Sequence, residues 1–148
     1  MKFTTLLSVI IVISLSACKQ PNKQTKIFSD YLERTYQKEI PEAEHTYVSF
    51  PKNVGCLGCG VHTFNFLLAN QFPNVTLICN ESQIGQLPIK STYEILVDSN
   101  AELEQLNLNT QNVAILETSD RQIKRIVSIQ ADNIDSTLNA YFLRRKKN

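Results

Sequence analysis

An α/β domain on one central mixed sheet is what the order of helical and extended patterns predicts. In the front half, stretches with apolar residues at helical spacing alternate with short β-prone runs, which implies parallel crossovers. Near the end, two such runs are parted by a polar turn, which implies an antiparallel hairpin. The chain has 148 residues, 43% apolar and 20% charged. That is enough for one packed domain and too little for two of ordinary size. Four glycines and five prolines exclude collagen-like and low-complexity classes. Fifteen basic residues against fourteen acidic ones leave no overall field for gripping nucleic acid.

Each element has its own signal. Ile27, Phe28, Tyr31, Leu32 and Thr35 recur at helical spacing before Pro41, predicting a first helix over 27–39. Tyr47, Val48 and Phe50, stopped by Pro51, read as a buried strand. Val61, Phe64, Leu67, Leu68 and Phe72 mark an amphipathic helix that ends at Pro73. Val75–Cys79 is continuous and apolar enough to lie inside a sheet. A looser stretch with Gly85 and Pro88 leads to the strand Tyr93–Val97, stopped by Asp98-Ser99-Asn100. Leu103, Leu106 and Leu108 suggest a short helix over 101–108. Val113–Leu116 and Ile123–Ile129 form the hairpin around Thr118-Ser119-Asp120-Arg121. Ile134, Leu138, Tyr141 and Phe142 give a closing helix, with Asp132 or Asn133 available as cap. Its basic end, Arg144–Lys147, suits a helix C-terminus and needs no nucleic-acid partner.

The N-terminus carries an address. Lys2, the nearly unbroken apolar run Leu6–Leu15, and the small residues after it have the layout of a secretory signal. The run is too short for a membrane span, which needs about 20 apolar residues. Leu15-Ser16-Ala17-Cys18 resembles the lipobox of bacterial lipoproteins. The resemblance implies removal of residues 1–17 and acylation of Cys18, whose membrane affinity comes from buried methylene groups. A plain signal cut near Ala17, or a buried start helix, is the alternative. Residues 18–26 then read as a lipidated, solvated tether ahead of a domain over 27–148. The expected location is the bacterial cell envelope, facing the periplasm, where disulfides form and persist.

Cys56-Leu57-Gly58-Cys59 falls between the first strand and the amphipathic helix, and Gly55, Gly58 and Gly60 crowd the same hexapeptide. Glycine permits tight turns and the close approach of another chain. A cysteine at a helix start faces unpaired amides and the positive end of the helix dipole, both of which favour thiolate. Cys59 stands one turn away on the same face, within disulfide reach. A thiolate with a second sulfur in reach is what thiol–disulfide exchange requires.

From about Thr46 to Phe142 the chain resembles the thioredoxin-like superfamily, in particular lipid-anchored thiol–disulfide oxidoreductases of bacterial envelopes. Strand, CxxC, helix and strand carry the resemblance, together with the added segment Tyr93–Asp98 and its short helix. It implies a thioredoxin-like fold, Cys56 as nucleophile and Cys59 as resolving cysteine. It also implies a redox-active disulfide between them, protein thiols and disulfides as partners, and no organic cofactor. There are departures. Gly55 stands where the family has an aromatic residue, and Gln111-Asn112 where it has a cis-proline. A non-proline cis bond costs about 2.5–4 kcal/mol, so a trans peptide is expected there. No acidic residue lies between His45 and Phe50, where a buried proton acceptor often assists the resolving step.

The alternatives are a binding or accessory domain with a structural disulfide, and a zinc or copper site built on Cys56, Cys59 and His62. Covalent haem is disfavoured because Gly60, not histidine, follows Cys59. Cys79, at the end of an apolar strand, reads as a small buried hydrophobe, with a third redox partner or a metal ligand as the alternative. His45 reads as opening its strand from the surface, His62 as solvated, and neither has a visible partner. Lys52 reads as exposed. Oligomeric state and redox direction have no signal in the sequence.

Overall fold

The computed structural model describes residues 21–52, 56–84 and 92–143. The signal segment, Cys18, Gly55, Gly85, Pro88 and the basic tail lie outside the described residues. In chain order the elements are α1 (Lys23–Tyr36), β1 (His45–Phe50), α2 (Leu57–Asn70), β2 (Val75–Cys79) and the single turn α3 (Glu81–Ile84). There follow β3 (Glu94–Val97), α4 (Glu102–Gln105), β4 (Ala114–Ser119), β5 (Gln122–Ser128) and α5 (Ile134–Leu138), which runs into a π-helical turn at Asn139–Leu143.

The five strands form one mixed sheet in the order β3-β2-β1-β4-β5. β1 pairs parallel with β2, and β2 with β3. β4 runs antiparallel to both β1 and β5. The α/β class, the parallel front and the antiparallel β4–β5 pair are as predicted, and the arrangement is thioredoxin-like. Val48, at the centre, pairs with Leu77 on one side and Ile115 on the other. All five residues of β2 are buried, which is why Val75–Cys79 reads as an unbroken apolar run.

Helices cover both faces. On one, Phe64, Leu67 and Phe72 from α2 and its end, with Leu138, Tyr141 and Phe142, close over Val48, Leu77 and Ile115. On the other, Phe28, Tyr31 and Leu32 of α1 and Leu103 of α4 close over Tyr47, Ile78 and Leu116. The two sides differ in strand parity, as the pleat requires.

Several boundaries differ from the sequence pattern. The first helix begins at Lys23 rather than Ile27, because Asn22 caps it: its Oδ1 accepts the Thr25 amide at 2.7 Å. The residues read as the end of the tether are therefore helical, and Thr25 is buried, its hydroxyl accepting the Ile123 amide at 2.9 Å. The helix stops at Tyr36, well before Pro41, where Gln37 turns left-handed (φ 54°) and returns its amide to Glu33. The short helix predicted over 101–108 is only Glu102–Gln105, started by Asp98, whose two carboxylate oxygens accept the Glu102 and Leu103 amides. The closing helix has Asn133 at its cap position, yet its side chain serves the Gln130 amide instead. The π turn after α5 adds a residue per turn, so that the consecutive Tyr141 and Phe142 are both buried. All peptide bonds among the described residues are trans, Gln111–Asn112 included, as expected without proline there.

Candidate functional site

The carboxyl ends of β1, β2 and β3 meet at Phe50, Cys79 and Val97, which share one register line. β1 ends at this edge, and Cys56 is the N-cap of α2, with extended backbone (φ −121°, ψ 99°). Cys56 and Cys59 are joined in a disulfide, with Cα atoms 5.3 Å apart. The Cys59 amide donates to the Cys56 carbonyl at 3.1 Å, closing the first turn between them.

The two sulfur-bearing residues have different surroundings. Cys56 is partly exposed, whereas Cys59 is 1% exposed and packs in the cluster of Phe50 and Phe64. Of the two, Cys56 is the residue nearer solvent. Among the described residues no side-chain hydrogen bond caps the first turn of α2, and no acidic residue lies in that turn. The positive helix end thus faces the sulfur of Cys56 without a competing carboxylate from that turn.

The glycines serve a different purpose from the tight turn first considered. Gly58 and Gly60 lie inside α2, and no described glycine has positive φ. A Cβ at Gly58 meets nothing within 4 Å, and one at Gly60 stands 3.8 Å from Phe50, an ordinary contact. What remains of the reading is openness at Gly58, which is exposed.

Other singled-out residues take different places. His62 is not unpartnered: its Nε2 lies 2.8 Å from Asp135 Oδ1, tying α2 to α5. His45 does open β1, as expected, but is half-buried rather than at the surface, its Nε2 2.9 Å from Thr76 Oγ1, at the end of the sheet away from the cysteines. Among the described residues no three metal-binding side chains gather, so the structure does not join His62 to the cysteine pair as a ligand set. Cys79 is a free, fully buried thiol whose pKa burial pushes up to about 12. Lys52 is exposed, and its backbone amide donates to the Glu104 carboxylate of α4.

Sequence reading missed Glu104, Asp135 and Thr63. Glu104 and Asp135 reach the site region from 52 and 73 residues away, and no local pattern marks such a contact. Thr63 did have a signal, since it stands four residues after Cys59 in the interior of an amphipathic helix. The arrangement as a whole can accept a nucleophile at one sulfur and release the other into the core. No family model matches the chain, and no curated protein matches it.

Proposed function

We propose that this chain is a thiol–disulfide oxidoreductase that exchanges disulfides with envelope proteins through Cys56 and Cys59. The observation that supports this most is the oxidised pair at the N-terminus of α2, one cysteine partly exposed and the other enclosed. A partner thiolate attacks Cys56 Sγ, the Cys56–Cys59 bond breaks, and its electron pair leaves on Cys59 Sγ. A second thiol of the partner then attacks its own sulfur in the mixed disulfide and releases Cys56. The partner loses two electrons and two protons, and this chain becomes the dithiol. Run in reverse, Cys56 attacks a partner disulfide and Cys59 resolves the intermediate.

The test is reduction of insulin disulfides by dithiothreitol, with a Cys56→Ser control. Wild-type protein is expected to accelerate precipitation of the insulin B chain severalfold, and the variant not at all. Equal rates from the two would remove the enzymatic reading.

A second reading, an accessory module with a structural disulfide, is favoured by the trans peptide at Gln111–Asn112 and the lack of an acid within β1. The same comparison of rates separates it. For attachment, we propose acylation at Cys18, which predicts palmitate labelling of the chain that Cys18→Ala abolishes. Equal labelling of both would refute it.

A further inference from the structure

Thr63 is fully buried in α2, and its hydroxyl has no hydrogen-bond partner among the described residues. A core seldom tolerates this, because the group loses water and receives nothing in return. The other buried hydroxyls show the contrast. Thr25, Thr46, Ser49, Thr76, Thr110 and Thr118 are each engaged by an amide, a carbonyl, a carboxylate or another hydroxyl. A threonine inside a helix has a local remedy, donation to the carbonyl four residues back. For Thr63 that carbonyl belongs to Cys59, and the bond is not made.

Position four after Cys59 puts Thr63 on the same face of α2, one turn on. Helical side chains lean toward the N-terminus, so Thr63 covers the turn that carries Cys59. In the structure the Cys59 sulfur is bonded to Cys56 and enclosed at 1% exposure. When the bond opens, that sulfur leaves with an electron pair in surroundings closed to water. It is no longer held to Cys56 and is a far better acceptor than a disulfide sulfur.

We propose that the Thr63 hydroxyl is the hydrogen-bond donor kept for the Cys59 sulfur of the dithiol state, a positioning residue that biases the couple toward reduction. The inference deepens the redox reading and rests on it in one respect, that the Cys56–Cys59 bond opens. As a partner thiolate bonds to Cys56 Sγ, the electron pair of the broken bond settles on Cys59 Sγ. The Thr63 O–H points its hydrogen at that sulfur without transferring it. In the disulfide state the hydroxyl is unsatisfied, so the residue raises the free energy of one redox state and lowers that of the other.

The test is the equilibrium of the full chain with reduced and oxidised glutathione, read by alkylation and mass shift, for wild type, Thr63→Val and Thr63→Ser. Valine keeps the shape without the donor. It is expected to move the equilibrium constant about tenfold toward the disulfide, about 30 mV more reducing for a two-electron couple. Serine, which restores the donor, is expected within about threefold of wild type. A threonine with a merely structural role weakens both redox states alike and leaves the constant unmoved. A valine constant within twofold of wild type, or a serine constant shifted as far as valine, overturns the proposal. Should valine fail to fold, Thr63→Ala removes the donor without crowding, with the same expectation and the same overturning result. The equilibrium is measurable whether or not insulin is reduced. A shifted constant in a protein inactive on insulin upholds this inference and fails the enzymatic reading, while an unmoved constant in an active protein does the reverse.

Discussion

Cys79 and Cys59 are both buried in the same apolar cluster, yet their chemistry differs because of what each can reach. Cys59 is bonded to a partly exposed neighbour at a helix start. Cys79 ends β2 with no disulfide partner, and burial pushes its pKa up to about 12. At pH 8 only about one such thiol in ten thousand is ionised, and the thiolate is the reactive form. Native oxidised protein is therefore expected to take up no iodoacetamide at Cys79 over an hour at pH 8, and one equivalent once denatured. Reduced protein should label first at Cys56. Peptide mapping by mass spectrometry checks both, and rapid native labelling of Cys79 would overturn its reading as an inert buried thiol.

At the scale of elements, α1 shows how one polar residue sets a boundary. Asn22 does two things at once: its Oδ1 caps the helix through the Thr25 amide, and its Nδ2 donates to the Ile123 carbonyl of β5 at 3.2 Å. Asn22→Ala is expected to cost about 1–2 kcal/mol, the upper part of the range for lost caps, since a cross-element bond goes with it. Urea unfolding measures the loss, and a cost below about 0.5 kcal/mol would make the cap incidental. The start of α1 was illegible because its first turn is polar and its meaning lies in β5, about a hundred residues away. Phe28, Tyr31 and Leu32, by contrast, announce the helix because they face the sheet. β2 was legible for a similar reason, being buried on both faces, while the one-turn α3 has no fully buried residue and left no periodic trace. The site divides in the same way. The CxxC pair and its helix start follow from local spacing, but the Glu104 and Asp135 contacts depend on how α4 and α5 dock. The hydroxyl of Thr63 is visible in the sequence, while its lack of a partner is a property of the packed core.

For the whole molecule, the two ends of the sheet carry separate chemistry. The cysteines sit at the carboxyl ends of the parallel strands, and a titrating chain sits at their amino ends. There Lys38 Nζ meets Glu94 Oε1 at 2.7 Å, Thr76 donates to Glu94 Oε2, and His45 Nε2 lies 2.9 Å from Thr76 Oγ1. Because Thr76 spends its hydrogen on Glu94, His45 Nε2 carries a proton and donates. Burial lowers the His45 pKa from its usual value, and the Glu94 charge opposes this only in part. The Lys38 hydrogen bond leads in holding Glu94 below the usual carboxylate range. A histidine of lowered pKa binds less proton folded than unfolded, so stability rises with pH through that window. Its contribution is complete above the unfolded value near 6.5 and is lost as pH falls below it. The Glu94 contribution is complete above about 4.3 and fades only in stronger acid, as pH falls through the folded value. Stability is therefore expected to decline from pH 7.5 to 5.5 with a slope of at most about 1.4 kcal/mol per pH unit, the limit for one proton. His45→Gln keeps a donor for Thr76 without the titration and should flatten that window, leaving the loss below about pH 4.5 in place. Urea midpoints at fixed salt across the range decide it. A slope that survives in His45→Gln assigns the proton to another group and removes His45 from the account.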